Sequence, residues 1–443
     1  MSGLALANQL AALEFAKRVG FVTKVSPGRI ESTGPAVTVG DACAIVDANT
    51  KAEEHPPLAE VASVDAGRVV LIPLDPTIVI RPNAKVIALP SLSSVPVGDA
   101  FAGRLVDATG AALDEAGPVL YEHRAPLDGR ILAPLERRDP DRILETGVRA
   151  LDGLLAIGRG QRIGIFAASG VGKTTLVRQL ARQVDADRCV ICLVGERGRE
   201  VESLWREIEH GQRKRFTCVA ATSEQSPVLR ARAVRQAACL AEFWRDKGEH
   251  VLFVVDSVTR YAMALREIGL AAGEPPTLRA YTPSVFAALP RLVERCGGAK
   301  AGGSITGVMT VLSETDDVDD PIAETMKAAF DGHIVLSRTL AEQGHFPAID
   351  VIRSVSRQAE RLMAPQHASA ARQIIALLST YEEARIMISG GLYRPGNNPH
   401  LDEAVRTHGS IEDFLRQKGS EHSRLTTTVE RLSALHARGS LHA

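Results

Sequence analysis

Residues 161–174 read QRIGIFAASGVGKT. The apolar, strand-like run Arg162–Phe166 stops at a loop of small residues: Ala167, Ala168, Ser169, Gly170, Val171 and Gly172. Lys173, Thr174 and Thr175 then open a stretch with helical spacing. A strand, a tight loop and a helix start, in that order, point backbone N–H groups at phosphate oxygens. Lys173 is placed to reach the β- and γ-phosphates of a nucleoside triphosphate, and the Thr174 hydroxyl to ligate Mg²⁺. The full pattern has glycine at the first loop position; here Ala167 stands there, followed by Ala168. Alanine still lets the backbone approach a phosphate as long as φ stays negative. The stretch predicts an α/β fold with a nucleoside triphosphate, together with Mg²⁺, bound where a strand gives way to a helix.

Working outward, two further strands end in acids. VLFVVD (251–256) closes on Asp256, and in an open α/β sheet the carboxyl ends of strands face the ligand crevice. Asp256 is therefore the expected second metal group, acting through water opposite Thr174. LVGERGRE (193–200) ends on Gly195, Glu196 and Arg197. A carboxylate at Glu196 can orient and polarise a water for attack on the γ-phosphate, with Arg197 beside it in the catalytic set. The competing reading is a surface acid paired with Arg197 or Arg199. An arginine that neutralises transition-state charge is commonly lent by a neighbouring subunit. The residues alone do not separate Arg357, in VIRSVSRQ, from Arg353 or Arg338 for that part. ETDDVDDP (314–321) reads as a solvated acidic turn, and the proline-rich GEPPTLRAYTPS (273–284) as an exposed functional loop.

The chain has 443 residues, 52 basic and 53 acidic, with a net charge of −1. That balance gives no sign of a nucleic-acid or anionic-membrane specialist. Six cysteines are too few for a disulfide scaffold and fit a reducing cytoplasm. Cys189 and Cys192 form a CxxC, but inside the apolar run CVICLVG they should face opposite sides of a strand and not converge on a metal. No apolar run is long enough for a membrane-spanning helix.

The organisation reads as four parts. Residues 1–19 suggest an amphipathic helix, with Leu6, Leu10, Leu13 and Lys17 three or four apart. Residues 20–91 suggest a small β-barrel with strands FVTKV, AVTV, CAIV, VVLIPL and TIVI. Pro90–Asp99 looks like a linker. Residues 92–363 alternate strands and helices, which predicts a parallel sheet, and 364–443 read as helical.

Taken together these strings resemble the ATPases of bacterial type III protein export, relatives of the rotary ATP synthase subunits, and most of all the flagellar export ATPases. The resemblance runs from GFVTKV near residue 20 to FLRQ at 414–417. It rests on IESTGP (30–35), VPVGD (95–99), ETGVRALDGLL (145–155), GVGKT (170–174), GERGREV (195–201), ATSEQSP (221–227), DSVTRYAMALREIGLAAGEPPT (256–277), YTPSVFAALPRLVER (281–295) and DGHIVLSRTLAEQGHFPAID (331–350). It implies an N-terminal β-barrel, a RecA-like P-loop core and a helical C-terminal domain, assembled as a homohexamer that hydrolyses ATP to energise protein export. By position, Glu196 matches the catalytic glutamate, Arg357 the arginine inserted into the neighbour's site, and Phe346 an aromatic that packs on adenine. Relatives usually carry glycine where this chain has Ala168. The implied partners are regulator and stalk proteins of the export apparatus and substrate–chaperone complexes. The implied location is cytoplasmic, peripheral to the inner membrane at the export gate.

Other readings differ in specific ways. A virulence-secretion ATPase shares the core, but DDVDDPI is closer to the flagellar form. The GEPPT loop and DGHIVLSR argue against a rotary synthase subunit. A ring-shaped RNA translocase should carry aromatics and basic residues on its barrel, where residues 20–91 hold one aromatic, Phe21. A degenerate structural subunit has no use for Lys173, Thr174, Glu196, Asp256 and Arg357 together.

Overall fold

The computed structural model describes residues 19–46, 56–89, 93–208, 212–313 and 320–440. The expected helix of residues 1–19 lies outside them except for Val19, which opens a strand instead. Strands β1 (Val19–Ser26), β2 (Arg29–Ser32), β3 (Ala42–Val46), β4 (Leu58–Asp65), β5 (Arg68–Pro73) and β6 (Lys85–Ala88) close into an antiparallel barrel in the order β1-β2-β5-β4-β3-β6. Its interior is filled by Val22, Ile30, Cys43, Ile45, Val61, Leu71 and Val86.

Two expected barrel strands are loops. AVTV (36–39) is held by a turn in which Asp41 accepts from the Thr38 N–H at 2.8 Å, and Val39 is exposed. TIVI (77–80) begins in a turn where Asp75 accepts from the Thr77 N–H at 2.8 Å, and Val79 is exposed. In both places a short acidic side chain offers the backbone an alternative to a ladder. The barrel uses the more polar segments at β2, β4 and β6 instead, because half of each faces solvent. The supposed linker is also corrected. Ser94–Val97 forms β7, pairs with β9 (His123–Pro126), and buries Val95 and Val97 fully.

The core sheet adds β8 (Leu105–Val106), β10 (Arg137–Arg138), β11 (Arg162–Ala167), β12 (Arg188–Glu196), β13 (Phe216–Thr222), β14 (His250–Asp256), β15 (Gly297–Ala299), β16 (Ser304–Leu312), β17 (Gly332–Leu336) and β18 (Ile349–Ser356). Its main order is β18-β17-β11-β16-β14-β12-β13-β8. The expectation of a parallel sheet holds for the middle and fails at three pairings, one of them the short β10 against β15. β18 runs antiparallel to β17, because the five-residue helix Arg338–Glu342 and the turn after it bring the chain straight back. β15 folds on β16 as a hairpin through the turn at 300–303.

The parallel strands are buried on both faces, so they read as unbroken apolar runs. Cys189, Ile191 and Leu193 of β12 join the core that includes the helix Lys173–Gln183 and the C-terminal helices. Val190, Cys192 and Val194 join the core under the helices Pro227–Asp246 and Val258–Ala272. The two cysteines therefore face apart, and burial pushes the Cys189 thiol up to about 12.

The C-terminal helices Pro365–Ser389, Pro399–Leu415 and Leu425–Ser440 pack on one side of the core. Arg149, 3% exposed, fastens them. Its Nε donates to the Phe414 carbonyl at 2.6 Å, its N–H to Gln417 Oε1 at 2.9 Å, and its guanidinium also meets the Arg416 carbonyl and Glu421. Among the described residues no helix is long and apolar enough to cross a membrane.

Candidate nucleotide site

Register brings three sequence-distant strand ends to one edge. Ala167 of β11 pairs with Leu312 of β16, Val255 of β14 with Met309 of β16, and Leu193 of β12 with Asp256. The loop after β11, the Asp256 carboxyl and Glu196 therefore emerge together at the carboxyl ends of parallel strands.

Two glycines shape the loop. Gly170 has φ 84° and Gly172, which caps the helix Lys173–Gln183, has φ 95°, both in the left-handed region that a side chain resists. Ala168 does not adopt positive φ and is buried, so alanine takes that place without backbone strain. Ser169 is exposed, and Val171 is buried and anchors the loop.

The Lys173 ammonium forms a short ion pair with Asp256 Oδ1, which also accepts from the Thr310 hydroxyl at 2.7 Å. Asp256 is 3% exposed and Glu196 6%. Burial pushes the Glu196 carboxyl up to about 7; Arg260 pulls the other way, while Asp256 and a hydrogen bond with Glu200 add to the rise. Thr174, Glu196, Glu200 and Asp256 line one small cavity. Its oxygens are hard donors suited to Mg²⁺. Among the described residues no cluster of three or more His, Cys, Asp or Glu could hold a metal alone.

The structure brings Phe346 to the same place. A Cβ on Gly172 would lie 3.7 Å from the Phe346 ring, which stands half exposed beside the helix start. The Gln417 N–H holds the Phe346 carbonyl at 2.8 Å, so the C-terminal part sets this ring's position. Thr175 is exposed and faces Gly419. Arg197 is exposed at the cap of the helix Gly198–Glu207.

Arg357 is not at this edge. It follows β18, whose last residue Ser356 pairs with Gly332, which pairs in turn with Ile163 at the start of β11. The loop leaves β11 four residues later, about 13 Å further along the strand. Arg357 is thus exposed near the end of β11 opposite to the one that carries the loop. Arg353 lies within β18, and Arg338 starts the helix Arg338–Glu342. The acidic turn 314–321 falls mostly outside the described residues; within them, Asp320 caps the helix Pro321–Ala329.

Three residues at the site escaped the sequence reading. The Arg260 guanidinium stands 3.4 Å from Glu196 and its stem packs over Gly195. Its signal was position: four residues after Asp256, one helical turn into the helix that starts there. Glu200, one turn beyond Glu196, is legible the same way. Thr310, inside an apolar strand, has no such signal.

Comparisons with known proteins cover both the core and the C-terminal part. A family model described as the ATP synthase alpha/beta family, nucleotide-binding domain, matches residues 147–356, and one described as the T3SS EscN ATPase C-terminal domain matches 363–434. The chain is 43% identical over 415 residues to the flagellum-specific ATP synthase of Pseudomonas aeruginosa, covering 93% of this chain and 91% of that protein. It is 40% identical over 431 residues to the type 3 secretion system ATPase of Xanthomonas euvesicatoria, covering 97% of each. The structure of the assembled ATPase EscN from the enteropathogenic E. coli type III secretion system matches with a TM-score of 0.89 at 37% identity, covering 94% of this chain and 99% of that one. A second structure holds EscN in complex with its central stalk EscO, with a TM-score of 0.85 at 36% identity, covering 94% of this chain and 99% of that one.

Proposed function

The chain belongs to the family of flagellar and type III secretion ATPases, and we propose that it works as a ring, hydrolysing ATP to drive export of flagellar proteins. The flagellar reading follows the flagellum-specific ATP synthase of Pseudomonas aeruginosa, at 43% identity against 40% for the type 3 secretion system ATPase of Xanthomonas euvesicatoria; a virulence-secretion role uses the same site. The assembled relative and its stalk complex support a homohexamer with a central stalk partner. By resemblance, its further partners are an export-apparatus regulator, substrate–chaperone complexes and the membrane export gate.

In this reading the loop Ala167–Gly172 and the N–H groups opening the next helix, including those of Lys173, Thr174 and Thr175, bind the phosphates. Lys173 leaves Asp256 for the β/γ-phosphates, exchanging one anion for another of higher charge. The Thr174 hydroxyl and Asp256 would hold Mg²⁺, which supplies neutralisation of phosphate charge. Thr310 keeps Asp256 aimed at the cavity. Glu196 polarises the attacking water in its carboxylate form, and Arg260 beside it favours that form. Phe346 gives the base an apolar face, and Arg197 supplies positive charge at the rim.

The observation that carries the proposal is the split between loop and arginine. One subunit presents the phosphate loop at one end of β11 and Arg357 at the other. A closed head-to-tail ring joins them into complete sites, with Arg357 lent to the neighbour. Lys173→Ala and Arg357→Ala proteins should each be inactive alone and should regain activity when mixed. No recovery in rings shown to be mixed refutes the shared site.

A further inference from the structure

We propose that Gln161 is a positioning residue for Arg357, and so acts on the neighbouring subunit's site and not on its own. The inference rests on the shared-site reading above. Gln161 is fully buried immediately before β11. Its Oε1 accepts the Gly158 N–H at 2.7 Å, and since a backbone N–H only donates, the amide nitrogen must point the other way. There Nε2 donates to the Asp331 carbonyl at 3.2 Å and to the Ser356 hydroxyl at 3.1 Å. The Ser356 hydroxyl in turn donates to the Ala156 carbonyl at 2.8 Å.

The same Asp331 carbonyl accepts the Arg357 N–H at 3.0 Å. One oxygen thus joins the buried amide to the backbone that carries the arginine. The Asp331 side chain is fixed from β11 as well. Arg162 grips its carboxylate with Nε at 2.9 Å and a terminal nitrogen at 3.0 Å, and the Arg162 N–H adds a third bond at 3.0 Å. Beyond this root the Arg357 side chain is exposed, and it reaches the Lys327 carbonyl at 3.5 Å. A fixed base and a free tip are what an arginine needs to reach across a subunit boundary and arrive in one orientation. Gln161 meanwhile sits about 20 Å along β11 from its own loop, with no contact to the cavity around Thr174 and Glu196.

Complementation tests this. Full-length Gln161→Leu should lose ATP turnover on the order of 10–100-fold while binding a fluorescent ATP analogue within about two-fold of the parent. Mixed with Lys173→Ala subunits, which keep an intact Arg357 and its clamp, it should regain activity. Mixed with Arg357→Ala subunits it should not, because every arginine in such rings is missing or misplaced. Ser356→Ala, a smaller change at the same clamp, should sort the same way and decides the matter if Gln161→Leu does not fold. Undiminished turnover, or recovery with Arg357→Ala but not with Lys173→Ala, overturns the positioning role alone. Failure of Lys173→Ala and Arg357→Ala to rescue each other overturns the shared site and this inference with it.

Discussion

Glu196 makes the reaction's pH dependence a structural prediction. Its carboxyl, 6% exposed, is pushed up to about 7, chiefly by burial and against the pull of Arg260. Only the carboxylate polarises water well, so kcat/KM should climb as pH rises through about 7. The ionised fraction goes from about a tenth at pH 6 to about nine tenths at pH 8. The informative perturbation is Arg260→Gln. At 3.4 Å, Coulomb's law in the dielectric of bulk water gives about 1.2 kcal/mol. That screening suits an arginine about a third exposed, and the drier side of the pair can only enlarge the effect. Losing it favours the protonated acid, so the limb should move alkaline by about one pH unit. The assay is ATP hydrolysis at subsaturating nucleotide, where the profile reports the free site, with Mg²⁺ in excess. Arg260→Gln also lowers the plateau if the guanidinium contacts phosphate, but the midpoint is independent of the plateau. A limb that stays put or moves acidic refutes the pairing as the control on Glu196, and a parent limb that survives in Glu196→Gln refutes Glu196 as its source.

The linkage runs the other way for stability. An acid whose native value lies above its unfolded one holds extra protons when folded, so stability falls as pH rises from about 4.5 to about 7. Glu196→Gln should therefore raise the nucleotide-free melting temperature relative to the parent at pH 8 but not at pH 4.5. Phe346→Ala should raise KM for ATP by about 5–10-fold, the loss of one ring contact of about 1–1.5 kcal/mol, and leave kcat near the parent value; equal loss in kcat places the ring elsewhere in the mechanism. Because Ala168 has no positive φ, Ala168→Gly should leave turnover within about two-fold and lower stability by roughly 0.5–1 kcal/mol through the freer unfolded chain; a large gain in activity would show that alanine strains the loop. Arg149→Ala should cost about 3 kcal/mol or more in denaturant unfolding, since it strands the Phe414 and Arg416 carbonyls and leaves Glu421 without its guanidinium; a loss below about 1 kcal/mol shows that the C-terminal helices dock without it.

By itself, the sequence determined the local units of this protein. The strand, loop and helix at 161–175, and the acids ending VLFVVD and LVGE, are contiguous patterns whose chemistry is set by neighbours within a few residues. The alternation of CVICLVG likewise told which way Cys189 and Cys192 face. Tertiary structure decided whatever depends on residues distant in sequence. AVTV and TIVI have strand composition, yet nearby aspartates turned them into loops, and barrel closure drew in the more polar β2, β4 and β6 instead. Ser94–Val97 looked like a linker until β9 supplied a partner. Arg260 reaches Glu196 through the pairing of β12 with β14, and Thr310 reaches Asp256 through the pairing of β14 with β16. The direction of β18 decided most. By returning antiparallel it sets Phe346 beside its own loop and carries Arg357 to the other end of β11, because an antiparallel strand starts level with its neighbour's carboxyl end and finishes level with its amino end.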